Sequence, residues 1–351
     1  MSSLLRVDDE LRDALADWIA NRWNAKLANI TPIAPGLGTR RFYRVRVSDG
    51  SAPAEALVAR VDAEEDPAKR APSVAPEPPL EPIRQLLETS GIPVPRRYAH
   101  ASELRTEFLE DVGDRSLERA AHEVDVEERR ALYGRACEIV VRLQGIDAPT
   151  PPIEAFGRRL DRALFESKAD RVVRWALPYW LPRPVRAEDE ATVRDLYDRV
   201  AALCESAPMR LAHRDYKAAN IHVVENGRLV LIDLQGAFLA PPEYDLVCLL
   251  RDAHVRLPWD EVAAHLEATR PRLPDAPSRE DFDERFTLLT LTRVAKDAAH
   301  YIHAFTDAGD TRYLPLLPNA RASLVHAAEK AATLDPAFEG IAALFGELRE
   351  P

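Results

Sequence analysis

LAHRDYKAANIHVVENGRLVLIDLQGAFLAPPEYDL occupies residues 211–246. Within it His213, Arg214, Asp215 and Asn220 form the pattern His-Arg-Asp-x-x-x-x-Asn. An apolar run, IHVV, follows at 221–224. Asn226-Gly227 is a hairpin signal, and RLVLIDL (228–234) returns as a second strand-like run. The hairpin sets Asp233, at the end of the returning strand, next to Asn220.

This set is what phosphoryl transfer asks of a protein. One carboxylate accepts the proton of an attacking hydroxyl. A second carboxylate and an amide hold divalent ions against a triphosphate. Asn suits the metal position because it offers a neutral oxygen and adds no negative charge beside ATP. Asp215 is thus the candidate base, Asn220 and Asp233 the candidate magnesium ligands, and ATP the phosphoryl donor. His213 is read as ordering the loop by hydrogen bonding. The competing reading is a chance occurrence in a buried hairpin. Four positions at the right spacing, followed by strand, turn, strand and Asp, outweigh it. His222, His300 and His303 share no ligand-like spacing with one another and are read as structural.

Outward from this island the chain divides in texture. Residues 9–27 place Leu11, Leu15, Trp18, Ile19 and Trp23 at helical spacing, an amphipathic opening helix. IAPGLGTRRFYRVRV (33–47) is a glycine turn before a strand in which Tyr43, Val45 and Val47 alternate with arginines. EALVARVDA (55–63) continues an antiparallel hairpin or meander. Residues 64–82 are rich in proline and charge and read as a loop. A short helix at 83–90 ends at Gly91, and RTEFLED (105–111) is a further strand. Beyond it helices are expected at 125–144, 157–176, 188–206, 259–269, 281–306 and 316–333. The fold class is therefore α+β, a two-lobed protein-kinase-like arrangement. A small antiparallel sheet lobe (1–111) would bind nucleotide and end in the hinge. A large, mainly helical lobe (112–351) would carry the catalytic loop and the acceptor site. A crevice between two such lobes is the default ligand site.

Composition excludes other classes. The 351 residues are 46% hydrophobic, which argues against wholesale disorder, and carry a formal net charge of −11. An acidic chain repels nucleic acid and anionic membranes, so neither is an expected partner; the small-molecule acceptor is what the kinase reading implies. Cys137, Cys204 and Cys248 are far apart, which fits a reducing cytoplasm better than disulfides or zinc. The N-terminal segment is charged where a signal peptide needs an apolar core, and no stretch approaches the length of a membrane span.

Residues 211–251 resemble the aminoglycoside-phosphotransferase and choline-kinase superfamily, with PPEYDLVCLLRD (241–252) the clearest marker. The resemblance implies that Asp245 bonds loop amides rather than reacting. Within the superfamily the chain is similar to the anomeric sugar kinases that phosphorylate N-acetylmuramate and N-acetylglucosamine in cell-wall recycling. TRRFYRVRV (39–47) matches their Arg-Arg-aromatic-Arg strand. IDLQGA (232–237) matches their Asp-aromatic-Gln-Asp-Ala, with Leu234 and Gly236 as departures. Arg293, Lys296, Tyr313, Leu314 and Pro318 follow their C-terminal spacing. Lys217 stands where those kinases usually have His. HRDYKAAN is closer to the HRDLKPEN of protein kinases, so Lys217 is expected to offset charge on the transferred phosphoryl group.

The remaining assignments follow from this resemblance. Gly36, Gly38 and Thr39 would cover the phosphates, and the backbone from Glu110 to Val112 would bond adenine. Either Arg60 takes the place of the usual phosphate-binding lysine, or Asp62 matches an Asp that replaces it. A strand puts both on one face. Glu81 is a candidate helix partner for that cation. Arg214, Gln235, Arg251, Arg293 and Lys296 are candidate acceptor contacts. Arg293 and Lys296, three apart on a helix, could hold the lactyl carboxylate of muramate. An aminoglycoside or choline kinase is the alternative, with Glu280, Asp281, Asp283 and Glu284 as an acidic cluster that otherwise reads as a solvated helix start. A protein kinase lacks support from any D-F-G, A-P-E or V-A-I-K segment. Retention of Asp215, Asn220 and Asp233 argues against a non-enzymatic nucleotide binder.

Overall fold

The computed structural model describes residues 8–34, 40–62 and 78–350. They fall into two compact units, the first built from the described residues up to 62 with Val94–Asp114, the second from the rest.

The first unit opens with helix α1 (Asp9–Trp23), capped by the Asp8 side chain at its start and by Asn24 in the left-handed conformation at its end. It buries Leu15, Ile19 and Trp23, the stripe legible in the sequence. Strands β1 (Lys26–Ile33), β2 (Arg41–Ser48) and β3 (Ala56–Val61) follow. After helix α2 (Leu80–Thr89), which belongs to the second unit, come β4 (Arg97–Ala101) and β5 (Thr106–Glu110). The five strands form one antiparallel sheet in the order β1-β2-β3-β5-β4. Alternation along β2 buries Tyr43, Val45 and Val47. Strand β1 begins within the span read as the end of the opening helix. Asn24 stops the helix, and Lys26–Ile33 then pairs with β2 through a bulge near Leu27 and Asn29. Gly50 is required at the β2–β3 turn, because a Cβ there would lie 2.1 Å from the Asn24 carbonyl oxygen. Phe108 is fully buried between the Trp18 ring, stacked at 4.7 Å, and the Trp23 ring at 5.2 Å.

The second unit is mainly helical: α3 (Leu117–Glu123), α4 (Val126–Gln144), α5 (Glu154–Gly157), α6 (Arg162–Arg171), α7 (Leu177–Trp180) and α8 (Ala187–Glu205). Between α6 and α7 the chain winds as a π-helix over Val172–Ala176. Next come β6 (Arg210–Ala212), β7 (Ile221–Val223), β8 (Leu229–Leu231) and β9 (Phe238–Ala240). They are followed by α9 (Tyr244–Leu250), α10 (Trp259–Thr269), α11 (Arg279–Ala308), α12 (Leu317–Leu334) and α13 (Glu339–Gly346). Strands β7 and β8 form the expected hairpin, and β6 pairs with β9. These two short ladders fold residues 213–220 and 233–236 toward each other. Among the described residues no helix is long and apolar enough to cross a membrane.

Removing the ring at the centre of the first unit leaves a cavity. Phe108→Ala should therefore destabilise it by about 3–5 kcal/mol, read as a lower urea midpoint. A midpoint unchanged from wild type would mean that the aromatic cluster does not hold this sheet to α1.

Candidate active site

The loop 213–220 is held in place at four points. Asp245, at the start of α9, accepts hydrogen bonds from the backbone N–H of His213 (2.6 Å) and of Arg214 (3.1 Å). Arg214 has φ +79°, a conformation unfavourable for any residue but glycine, and these bonds fix it. The Arg214 carbonyl accepts from the Cys248 thiol at 3.4 Å. Tyr216 is fully buried and donates through its hydroxyl to the Ala136 carbonyl at 2.8 Å, anchoring the loop to α4. Ala218 N–H donates to Asp252 Oδ2 at 2.9 Å. On the other side His213 Nε2 lies 2.9 Å from the Ile232 carbonyl, so the imidazole ties the loop to the hairpin. Burial pushes the Asp245 carboxyl up to about 6, against the pull of His213 and of the two loop amides.

Asp215 thereby has its side chain presented while its backbone is pinned. The Asn220 amide donates to the Asp215 carbonyl at 2.9 Å, which leaves its side-chain oxygen for a cation. Ile232 N–H donates to the Asn220 carbonyl at 3.0 Å, so Asp233 is one residue from that contact. Asp233 is exposed, with φ +65°. Its Oδ1 accepts from the Gln235 amide at 2.6 Å, which orients the carboxylate. Gln235 is thus directed at Asp233, and its carbonyl accepts from Arg158. An ionised carboxylate and a neutral amide oxygen suit magnesium, which takes few protein oxygens and keeps waters and phosphates.

The Asp215 carboxylate receives Arg293 Nη2 at 3.0 Å. Burial disfavours its charge, but Arg293, Lys296, Lys217 and Arg214 outweigh that and hold it below the usual carboxylate range. Its side chain still keeps 38% of its surface accessible, so a reactant can reach it. Arg293, on α11, is buried and bonds Asp297 Oδ1 at 2.6 Å through its other nitrogen. Lys296 reaches the same oxygen at 2.9 Å. The two cations do share a face of α11, and a carboxylate of their own helix already bridges them. Arg214 lies 5.7 Å from the Phe238 ring.

Sequence reasoning missed two residues here. One is Asp297. The other is Lys168 on α6, 6% exposed, its ammonium 3.4 Å from the Tyr244 hydroxyl and near the faces of Phe165 and Tyr244. Burial first, then Arg293 and Lys296, push it down to about 7. Neither motif nor spacing marks a lysine that only tertiary packing brings here. A cavity of about 560 Å³ continues along the same helices, lined by Asp170, Arg171, Arg174, Trp175, His300 and His303. The Trp175 and His303 rings lie 4.3 Å apart at its wall. Burial pushes His300 down to about 4. Both histidines, structural by sequence, thus face a cavity.

The other assignments separate. Arg251 is not brought to this group. It closes α9, stacks 3.7 Å over Trp259 and donates to Ser323. In the first unit Asp62 pairs with buried Arg60 (2.8 Å) and with Arg40 (3.1 Å). Glu110 ends β5 and accepts from Arg96 N–H through its side chain. Val112 lies in a segment tied to β2 by Arg44, through Asp111 and Asp114. Glu81 pairs with Arg84 on its own helix. Gly36, Gly38 and Thr39 lie outside the described residues. The acids Glu280 to Glu284 stand at the first turn of α11, capped by Ser278. They are on the order of 15 Å along the helix from Arg293.

A five-stranded antiparallel sheet, a helical unit and a His-Arg-Asp loop facing an Asp-bearing hairpin define a phosphotransferase of the kinase fold. The chain belongs to the phosphotransferase enzyme family, whose pattern it matches over residues 29–282. It is 27% identical over 245 residues to an N-acetylmuramate/N-acetylglucosamine kinase of Pseudomonas aeruginosa, covering 68% of this chain and 70% of that one. It is 24% identical over 342 residues to a kinase of the same name from Neisseria meningitidis, covering 95% and 96%. Among solved structures it is similar to a choline kinase of Streptococcus pneumoniae, with TM-score 0.59, 12% identity and 92% and 99% coverage. An ADP-bound aminoglycoside phosphotransferase aligns with TM-score 0.55, 14% identity and 97% and 99% coverage.

Lys168 yields a pH test. Its folded value of about 7 lies below the unfolded lysine value of about 10.4, so the unfolded chain binds more protons between them. Stability should then rise with pH from about 7 to about 10. Lys168→Met removes this gain, so the urea midpoint of the variant minus that of wild type should fall as pH rises across this window. A constant difference would mean that the fold does not hold Lys168 neutral.

Proposed function

We propose that this enzyme transfers the γ-phosphoryl group of ATP to the anomeric hydroxyl of an N-acetylated amino sugar, N-acetylmuramate or N-acetylglucosamine. The observation that carries the phosphoryl-transfer reading is the partly accessible Asp215 carboxylate, on a loop clamped by Asp245, beside Asn220 and the Asp233 hairpin. The sugar reading is supported by similarity to kinases named for N-acetylmuramate and N-acetylglucosamine.

Asp215 takes the proton of the attacking hydroxyl, and the freed oxygen attacks the γ-phosphorus as ADP leaves. Arg293 holds the carboxylate in place and makes it a weak base. That suffices in a loose transition state, where little covalent work falls to the protein. The anomeric hydroxyl is also the most acidic hydroxyl of the sugar, because the ring oxygen withdraws charge. Lys217 offsets charge at the transferred group. Asn220 and Asp233, the latter steadied by Gln235, are the residues to hold magnesium. Bound magnesium supplies neutralisation of the phosphate oxygens. In the first unit Arg60 or Asp62, Gly36, Gly38 and Thr39, and the backbone from Glu110 to Val112 are the proposed nucleotide contacts.

The charge around the base argues against a cationic acceptor. Arg214, Lys217, Arg293 and Lys296 surround Asp215 and Asp297, and Lys168 lies beside Arg293 and Lys296. A neutral or anionic sugar fits that balance, whereas choline and aminoglycosides call for acids, and the acidic cluster stands at the far end of α11. The cavity beside α6 and α11 begins one helical turn beyond Lys296, at His300, and Trp175 offers an aromatic face for a pyranose.

Asp215→Asn should leave nucleotide binding nearly unchanged and lower turnover by about 10²–10⁴-fold. Near-normal turnover would remove Asp215 from the role of base. The acceptor is tested by supplying ATP and magnesium with each N-acetyl sugar, choline or an aminoglycoside, then assaying ADP and reducing ends. A 1-phosphate loses reducing-sugar reactivity and regains it in mild acid. A phosphorylated product that still reduces places the phosphate elsewhere, and turnover of a cation alone overturns the sugar reading.

A further inference from the structure

Five arginines are buried among the described residues: Arg60, Arg84, Arg251, Arg285 and Arg293. Four have a carboxylate partner, respectively Asp62, Glu81, Glu243 and Asp215. Arg251 has none among the described residues. It is 6% exposed, and its Nε and Nη1 atoms are enclosed without a hydrogen-bond partner. Its single polar contact is neutral, Nη2 to Ser323 Oγ at 3.0 Å. The neighbouring charge is another cation, Arg256; burial first and then Arg256 push the guanidinium down to about 10. An uncompensated buried charge is strongly unfavourable, and the fold keeps this one.

The guanidinium borders a cavity of about 80 Å³, lined also by Arg256, Trp259, Asn319 and Ser323. That is several times the space one water needs. Trp259 lies under the guanidinium at 3.7 Å and is itself 38% exposed, so the cavity meets solvent at the indole. Asp252 also lines the cavity, but its carboxylate is engaged elsewhere. Oδ2 accepts from Ala218 N–H, and Oδ1 lies 3.1 Å from His254 N and 2.6 Å from His254 Nδ1. His326, stacked on the Trp259 ring at 3.6 Å, is pushed down by burial and by Arg251, and so takes up a proton less readily.

We propose that this cavity is an anion site for a tetrahedral phosphate group, inorganic or as a terminal monoester. Arg251 brings to the cavity wall a guanidinium that no carboxylate answers among the described residues, a planar donor group of the kind that pairs with phosphate oxygens. Arg256 adds a second charge, and Ser323 and Asn319 stand at the edge as neutral donors. The site is separate from the Asp215 group and independent of what that group phosphorylates. It adjoins the reaction loop nonetheless, since the residue after Arg251 is Asp252, which holds Ala218.

The test titrates the full chain with inorganic phosphate at constant ionic strength, against chloride and acetate, following tryptophan emission and thermal midpoint. Wild type should show a saturable emission change, lost in Trp259→Phe, with a midpoint raised by several degrees near saturation. Arg251→Met, which replaces an unpaired buried charge by an apolar stem, should equal or exceed wild type in midpoint without phosphate and fall below it with phosphate. If Arg251→Met does not fold, Arg256→Gln and Ser323→Ala carry the test, each weakening phosphate about 3-fold or more. Phenyl phosphate binding as tightly as or more tightly than inorganic phosphate assigns the terminal phosphate of a larger ligand; weaker binding assigns the free ion. Three results overturn the proposal: no saturable response, an equal response to acetate, or an Arg251→Met deficit that is the same with and without phosphate. The last would make the guanidinium a stacking partner of Trp259 alone.

Discussion

Two hydrogen bonds accepted by one buried carboxylate govern the arrangement of the 213–220 loop. Asp245 accepts from consecutive backbone amides, His213 and Arg214, and so closes a turn in which Arg214 takes a positive φ. That turn reverses the direction of successive side chains. His213 goes back to the hairpin, Arg214 to Phe238, and Asp215 out to where solvent reaches it. Tyr216 is then driven into the core against α4. Without an acceptor at 245, two amides in a nearly dry interior would lose their partner, a penalty of about 1–3 kcal/mol each. The loop would then relax from its strained form.

The site also solves a problem of charge. Several cations converge on two carboxylates in a largely buried region, which is costly unless each charge is answered. Asp297 answers Arg293 and Lys296 together, and Arg293 answers Asp215. Among the described residues Lys168 is left without a carboxylate, and it gives up much of its charge near neutral pH. The aromatic faces of Phe165 and Tyr244 soften what charge remains. The result is an Asp215 carboxylate that stays ionised because of its neighbours rather than because of water.

The fold was largely legible because its signals are local. The opening helix, the alternation in β2, the β7–β8 hairpin and the long α11 each follow from spacing within a few turns or strand pairs. The nearness of the 213–220 loop to Asp233 was legible for the same reason, since loop and hairpin are contiguous in the chain. What could not be read was set by distant packing. Lys168 sits 125 positions before Arg293 and comes near it only because α6 packs on α11. The first two residues of β1 fell inside the span read as the opening helix, since nothing but Asn24 interrupts its pattern, and residues 28–32 carried no reading. Arg251 misled for a geometric reason: it adjoins Asp252, which does hold the loop, but consecutive residues near a helix end point about 100° apart. The π-helical turn at Val172–Ala176, which brings Trp175 to the cavity wall, has no sequence mark at all.

The sulfur chemistry of this chain has a practical consequence. Cys137, Cys204 and Cys248 are all buried, and burial pushes each thiol up to about 12. Cys248 touches both Arg293 and the Arg214 carbonyl, yet it carries almost no thiolate at neutral pH. The folded enzyme is therefore a silent background for maleimide chemistry. A single cysteine introduced at an exposed position could carry a fluorophore or spin label in the presence of all three native thiols, with none replaced.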